Sequence, residues 1–209
     1  MTTSDRNLNQ SSGDENIFDP LRDVLLAQFA KPDALSSVNL RALSPFQRAL
    51  LIIDGTVTTF LEVYTLEPIE VHLISNIATQ TEQHDEWLDM APGSNIALRE
   101  VIIQGTQSQT LYVYAVSSVA LDRFPIESQQ QLASPGGSLG RVINDSKIES
   151  RREILWYGRE QRKNLPDKIR KIRDESFVSR TYRIISGTKP IALVHEKFPT
   201  SLGNALAFD

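Results

Sequence analysis

The chain has 209 residues and 23.5 kDa, with 40% apolar residues, enough for one domain with a full core and short for two. It contains no cysteine, which removes disulfides, thiolate nucleophiles, zinc ribbons and iron–sulfur clusters together. A formal charge of -4 and a pI near 5.5 argue against a nonspecific nucleic-acid binder, and no apolar run approaches a membrane span or a signal peptide. A cytoplasmic setting is expected.

Residues 1–16 hold almost nothing to bury, so a disordered tail is expected there, followed by a single domain over 17–209. Asp19-Pro20 reads as an N-cap with proline at the first helical position, and Leu21, Val24, Leu25 and Phe29 follow at helical spacing up to Pro32. Ser44 with Gln47 forms a capping box for a second helix, with Phe46, Ala49, Leu50 and Ile53 as its apolar stripe and Asp54-Gly55 as its stop. Thr56 then opens a third helix. Its first amides, at Val57 and Thr58, have no carbonyl a turn below them and could receive a carboxylate.

Pro68 to Ser75 alternates as a half-buried strand. Residues 76–95 read as an irregular connection or short helix, anchored by Trp87 and Met90. From Ile96 to Val119 two β-rich runs flank a polar turn at Thr106–Thr110, which predicts a hairpin. Strand alternation puts Arg99 on the face of Ala97, Val101 and Ile103. A guanidinium on an apolar face needs a partner, because removing the partner of a buried charge costs roughly 3–5 kcal/mol.

A short helix is predicted at Glu127–Leu132, and the loop 134–138 opens into Leu139-Gly140-Arg141 as a further helix start. Ile154–Tyr157 reads as a buried or edge strand, and the charged stretch 159–174 as a solvated loop or exposed helix. Ser176–Ser186 is a long strand, turned by Gly187–Pro190 into a partner from Ile191 to Phe198. There Glu196 is the lone charge on the face of Ala192, Val194 and Phe198. Burial would raise its pKa unless a cation stands nearby. His195, on the opposite face, reads as a surface residue.

The residues alone leave two readings of Arg99 and Glu196: a buried ion pair within a sheet, or the two ends of a closed pocket for an anionic ligand. His72, His84 and His195 lack metal-site spacing, and no nucleophile elbow or phosphate loop is present, so neither a metal site nor a nucleophilic hydrolase is expected.

Three motifs, taken in order, resemble those of the chorismate pyruvate-lyase family over roughly residues 40–200. They are Leu98-Arg99-Glu100-Val101, Leu139-Gly140-Arg141, and the hairpin from Ile184 to Pro199 with Ser186-Gly187-Thr188-Lys189-Pro190 at its turn. The resemblance implies an α+β fold, a single antiparallel sheet with helices packed on one side, enclosing the aromatic product beneath helical flaps. It also implies cofactor-free conversion of chorismate to 4-hydroxybenzoate and pyruvate for quinone head groups such as plastoquinone or ubiquinone. The sequence does not give the oligomeric state, and a monomer is the expectation. Arg99 matches the arginine that holds the ring carboxylate, the Leu139 amide a main-chain donor to it, and Val57 with Thr58 a looser second donor. Glu196 matches the glutamate at the oxygen-bearing end of the ring. The longer, more charged stretch 159–175 and the extra Thr188 point to a divergent branch. A noncatalytic sensor of small acids on the same fold is the alternative.

Overall fold

The structure, a computed structural model, describes residues 20, 21, 23–134, 136–162, 165, 166, 169 and 174–202. The tail proposed for residues 1–16 lies outside them. The elements run α1 (Pro45–Ile52), α2 (Val57–Thr65), β1 (Ile69–Gln80), β2 (Asn95–Gly105), β3 (Leu111–Ala120), α3 (Ile126–Ala133), α4 (Leu139–Asp145), β4 (Arg151–Gln161), β5 (Ser176–Ser186) and β6 (Lys189–Pro199). The six strands form one antiparallel sheet in the order β1-β2-β3-β6-β5-β4. This is the expected α+β architecture.

Local sequence accounts for the helix boundaries. The Ser44 hydroxyl accepts from the Gln47 amide at 3.2 Å while the Gln47 side chain accepts from the Ser44 amide at 3.0 Å, so the predicted capping box closes from both sides. Gln47 also donates to the Thr200 carbonyl at 2.9 Å, tying α1 to the end of β6. Helix α2 stops at Leu66, which adopts a left-handed φ of 56°. The next residue, Glu67, accepts from the amides of Gln107 and Ser108 and the hydroxyls of Ser108 and Tyr112, fastening the end of α2 to the β2–β3 turn.

All four helices serve one face of the sheet, where alternation places Ala97, Arg99, Val101 and Ile103 of β2. Two apolar clusters cover that face. At one end α1 and α2 contribute Phe46, Leu50, Val57 and Leu61, packed on Ile103, Val113, Ala115 and Phe198. At the other end α3 and α4 contribute Leu132, Val142 and Ile143, packed on Val119, Ile184, Ala192 and Val194. The charged residues of interest lie at the seam between the two clusters.

Four sequence readings are corrected. The helix expected from Asp19-Pro20 does not form over the described residues: a turn leads to a single 3-10 turn at Gln28–Ala30, and Phe29 is 92% exposed. The segment instead lies along the outer edge of β4, where the Leu26 and Ala27 amides donate to the Ile154 and Leu155 carbonyls at 2.9 and 3.0 Å. A bulge between Ile154 and Trp156 turns two successive carbonyls to that edge, and covering an open edge outweighs a short helix.

In the stretch 76–95, β1 continues to Gln80, and Leu88, overlooked among the anchors, is fully buried with Met90. The charged stretch begins inside β4, and Leu165 and Ile169 are buried against Tyr114 and Phe177, so these positions are not solvated. Lys163, Asp167, Lys168, Arg170, Lys171 and Arg173 lie outside the described residues. His195 is half-buried, bonded through Nδ1 to the Thr181 hydroxyl at 2.7 Å and through Nε2 to Glu160 at 2.8 Å. Among the described residues no helix is long and apolar enough to cross a membrane.

Candidate active site

A cavity of about 60 Å³ lies at the seam, room for roughly four to six waters. Its floor is the sheet, through Arg99, Val101, Ser117, Tyr182, Val194 and Glu196. Its roof is the start of α2, at Thr56, Val57 and Thr58, together with the start of α4, at Ser138, Leu139 and Gly140. These two helix starts touch. A Cβ on Gly140 would stand 3.0 Å from Thr56 Cγ2, so glycine is what lets them approach this closely, and Asn144 donates across to the Thr56 hydroxyl at 3.4 Å.

Arg99 is 2% exposed, as strand alternation requires. Its Nη2 donates to the carbonyls of Leu132, at 3.2 Å, and of Gly137. Leu132 belongs to the last turn of α3, whose unpaired carbonyls carry the negative end of the helix dipole. Those carbonyls fix the guanidinium without neutralising it. Burial pulls the Arg99 pKa below its ordinary value, yet arginine remains charged in proteins. Among the described residues no carboxylate lies within ion-pair distance of it and its Nε finds no acceptor.

Glu196 is 4% exposed and stands apart from Arg99. Arg99 pairs across β3 with Ser117, and Ser117 with Val194 of β6, two residues before Glu196. Two strand spacings and one two-residue step put the two backbones about 12 Å apart on a flat sheet. The cation that Glu196 faces is Arg180, whose Nε lies 2.8 Å from Glu196 Oε2, while the Tyr182 hydroxyl donates to Oε1 at 3.0 Å. A cation therefore does stand beside this buried carboxylate. Burial, reinforced by the negative Glu196, pushes the Tyr182 phenol well above its usual value, so the phenol keeps its proton and serves as a donor.

Arg180 is anchored like Arg99. Its Nη1 donates to the Ile53 carbonyl, the C-cap of α1, at 2.9 Å, and its guanidinium carbon sits 4.8 Å from the Tyr182 ring centroid. Two helix C-termini thus hold cations on the sheet, and two helix N-termini face the cavity from above. Of the five buried side-chain polar atoms without a hydrogen-bond partner among the described residues, three are guanidinium nitrogens, on Arg99, Arg152 and Arg180. Buried donors are seldom left unpaired, and two of these three, on Arg99 and Arg152, belong to side chains that line the cavity.

Arg99, Glu196, Val57, Thr58 and Leu139 all line this one cavity. The sequence reading overlooked Arg180, Tyr182 and Arg152. Arg180 and Tyr182 carry the signal that exposed Arg99, since Val178, Arg180, Tyr182 and Ile184 alternate onto one face of β5 with a single charge among them.

Residues 51–206 match the Rv2949c-like chorismate pyruvate-lyase family. The chain belongs to that family. A chorismate pyruvate-lyase of Mycobacterium tuberculosis is 28% identical over 178 residues, covering 80% of this chain and 86% of that protein. One of Mycobacterium leprae is 27% identical over 174 residues, covering 80% of each. Among solved structures, the effector domain of PhnF from Mycobacterium smegmatis superposes with a TM-score of 0.53 at 12% identity, covering 71% of this chain and 90% of that one. That likeness establishes the fold alone.

Proposed function

We propose that the chain is a chorismate lyase, converting chorismate to 4-hydroxybenzoate and pyruvate. The observation that carries this reading is Arg99: a buried guanidinium with no carboxylate in ion-pair reach among the described residues, lining a cavity that Glu196 also lines. Arg99 receives the ring carboxylate, with the Val57 and Leu139 amides and the Thr58 region closing over it.

In the reaction the C–O bond to the enolpyruvyl group breaks and the neighbouring hydroxyl-bearing ring carbon loses its proton. The ring keeps that carbon's C–H electron pair as it becomes aromatic, and the departing enolate takes a proton to become pyruvate. Oxidation state is conserved within the substrate, so no external oxidant enters the balance. The chain contributes position and field. Arg99 fixes the ring, and Glu196, held by Arg180 and Tyr182, stands at the oxygen-bearing end to relay the proton or steady charge there. A dry, prearranged pocket makes those interactions stronger than they would be in water.

Purified protein incubated with chorismate should release 4-hydroxybenzoate and pyruvate in equal amounts, read by chromatography and by a coupled pyruvate assay. Saturable binding of 4-hydroxybenzoate without turnover would instead favour the noncatalytic sensor. Supply of quinone head groups, of the plastoquinone or ubiquinone type, belongs to the same proposal. Loss of quinone in cells lacking the protein, restored by 4-hydroxybenzoate, is the expected result.

A further inference from the structure

We infer that the cavity contains a second carboxylate site, built on Arg152, which takes the carboxylate of the leaving enolpyruvyl group and makes the pocket selective for dicarboxylates. This rests on the chorismate lyase reading for the identity of the ligand, but the charge imbalance behind it does not.

Three charged side chains line the cavity: Arg99, Arg152 and Glu196. Glu196 is neutralised by Arg180 at 2.8 Å from behind the lining. Two positive charges therefore remain, facing one small cavity.

Arg152 has only weak compensation. Among the described residues the one carboxylate within ion-pair distance is that of Asp54, with Oδ1 at 4.0 Å from Nη1, the outer limit of an ion pair. The Asp54 side chain is 73% exposed, whereas that of Arg152 is 13% exposed, so water screens the anion and not the cation. The better contact is to a neutral group: Nη1 donates to the Asp54 backbone carbonyl at 2.6 Å. That carbonyl holds one edge of the guanidinium. The buried Nε finds no acceptor among the described residues, leaving a donor available on a planar fork suited to a carboxylate.

The topology separates the two cations. Arg152 pairs with Ile184, Ile184 with Ala192, Ala192 with Val119, and Val119 with Ala97, two residues from Arg99. Four strand spacings, about 19 Å on a flat sheet, lie between the backbones, and both side chains reach inward to the same cavity. A ligand that answers both needs two anions held apart by a rigid body. Chorismate has a ring carboxylate and an enolpyruvyl carboxylate, whereas 4-hydroxybenzoate retains one and pyruvate carries off the other. Arg152 therefore distinguishes substrate from aromatic product: it binds the half that leaves.

The test compares two ligands by calorimetry, 4-hydroxybenzoate and a benzoate bearing a carboxyvinyl ether at the meta position, an aromatic dicarboxylate that has no elimination open to it. Arg152→Gln should weaken the dicarboxylate about 10- to 100-fold and leave 4-hydroxybenzoate within about twofold, as loss of one charge-assisted contact requires. Arg152→Lys should recover part of the loss. Turnover should show the same split, with KM for chorismate raised and inhibition by 4-hydroxybenzoate unchanged.

Asp54→Asn, which leaves Arg152 in place, should tighten the dicarboxylate about two- to fivefold without altering the monocarboxylate, and it serves if the Arg152 variants fold poorly. Equal weakening of both ligands in Arg152→Gln, no weakening of either, or loss of dicarboxylate affinity in Asp54→Asn would overturn the inference. Wild-type protein that leaves chorismate intact but still shows an Arg152-dependent preference for the dicarboxylate would sink the lyase reading and leave the second site standing.

Discussion

Replacing Arg180 with methionine is expected to damage the fold before any chemistry is considered. The pair it forms with Glu196 spans 2.8 Å, and its side chains are 1% and 5% exposed, so water cannot take over when one partner is removed. The Glu196 carboxylate would keep only the Tyr182 hydroxyl, at 3.0 Å. Breaking a buried pair from one side costs about 3–5 kcal/mol. For a chain of this length each kcal/mol lowers Tm by about 2–4 °C, so the melting midpoint should fall by about 6–20 °C.

The second half of that prediction separates an unpaired charge from lost packing. Adding Glu196→Gln to Arg180→Met removes the stranded charge while leaving an acceptor for Tyr182, and at least half the lost stability should return. Circular-dichroism melts of the wild type, both single variants and the double variant at pH 7 complete the cycle. A loss below about 1 kcal/mol in Arg180→Met, or a double variant no more stable than Arg180→Met alone, would refute the claim that the two groups are a mutually dependent buried pair.

Other consequences can be measured in parallel. Glu196→Gln, which keeps the shape of the site, should lower kcat more than it raises KM; the reverse pattern would make Glu196 a binding group only. Gly137→Ala places a Cβ 2.4 Å from the Gln131 carbonyl, so the loop whose carbonyl holds Arg99 must move. Stability should drop by about 1–3 kcal/mol and 4-hydroxybenzoate binding should weaken, and an unchanged melt with unchanged affinity would contradict the described loop. The Ser108 amide foremost, then the other donors around it, hold the Glu67 carboxyl down to about 2 against an ordinary 4.5. A depressed carboxyl stabilises the fold above its unfolded value and loses that contribution as pH falls through the folded one. Glu67→Gln should thus cost about 1–2 kcal/mol at pH 7, allowing for screening near the turn, with the gap to wild type closing between about pH 4.5 and pH 2.

The parts of the molecule legible in the sequence were those governed by short-range rules. Ser44 and Gln47 announce α1 because both halves of the capping box lie within one turn, and Arg99 and Glu196 betray their burial through two-residue alternation. The Arg180–Glu196 pair was missed for a different reason. Both members were visible as charges on apolar faces, but the choice of partner depends on strand order, and β6 lies between β3 and β5. Alternation reports the face and not the neighbour.

The failure at Leu21–Phe29 has a similar root. Helical spacing was present there, but the unpaired edge of β4 offered hydrogen bonds that no local pattern encodes. Arg152 was hard to see because it stands at the start of β4, just before a bulge that breaks the alternation.

The most direct test of the central claim is a chorismate assay on the wild type beside Arg99→Ala and Arg99→Lys, with folding checked by melting and both products quantified. The account predicts equimolar 4-hydroxybenzoate and pyruvate from the wild type, loss of most turnover in Arg99→Ala, and at best partial recovery with lysine, whose point charge cannot reproduce the two-pronged contact. Absence of both products from the wild type, or near-normal turnover by a folded Arg99→Ala, would contradict it.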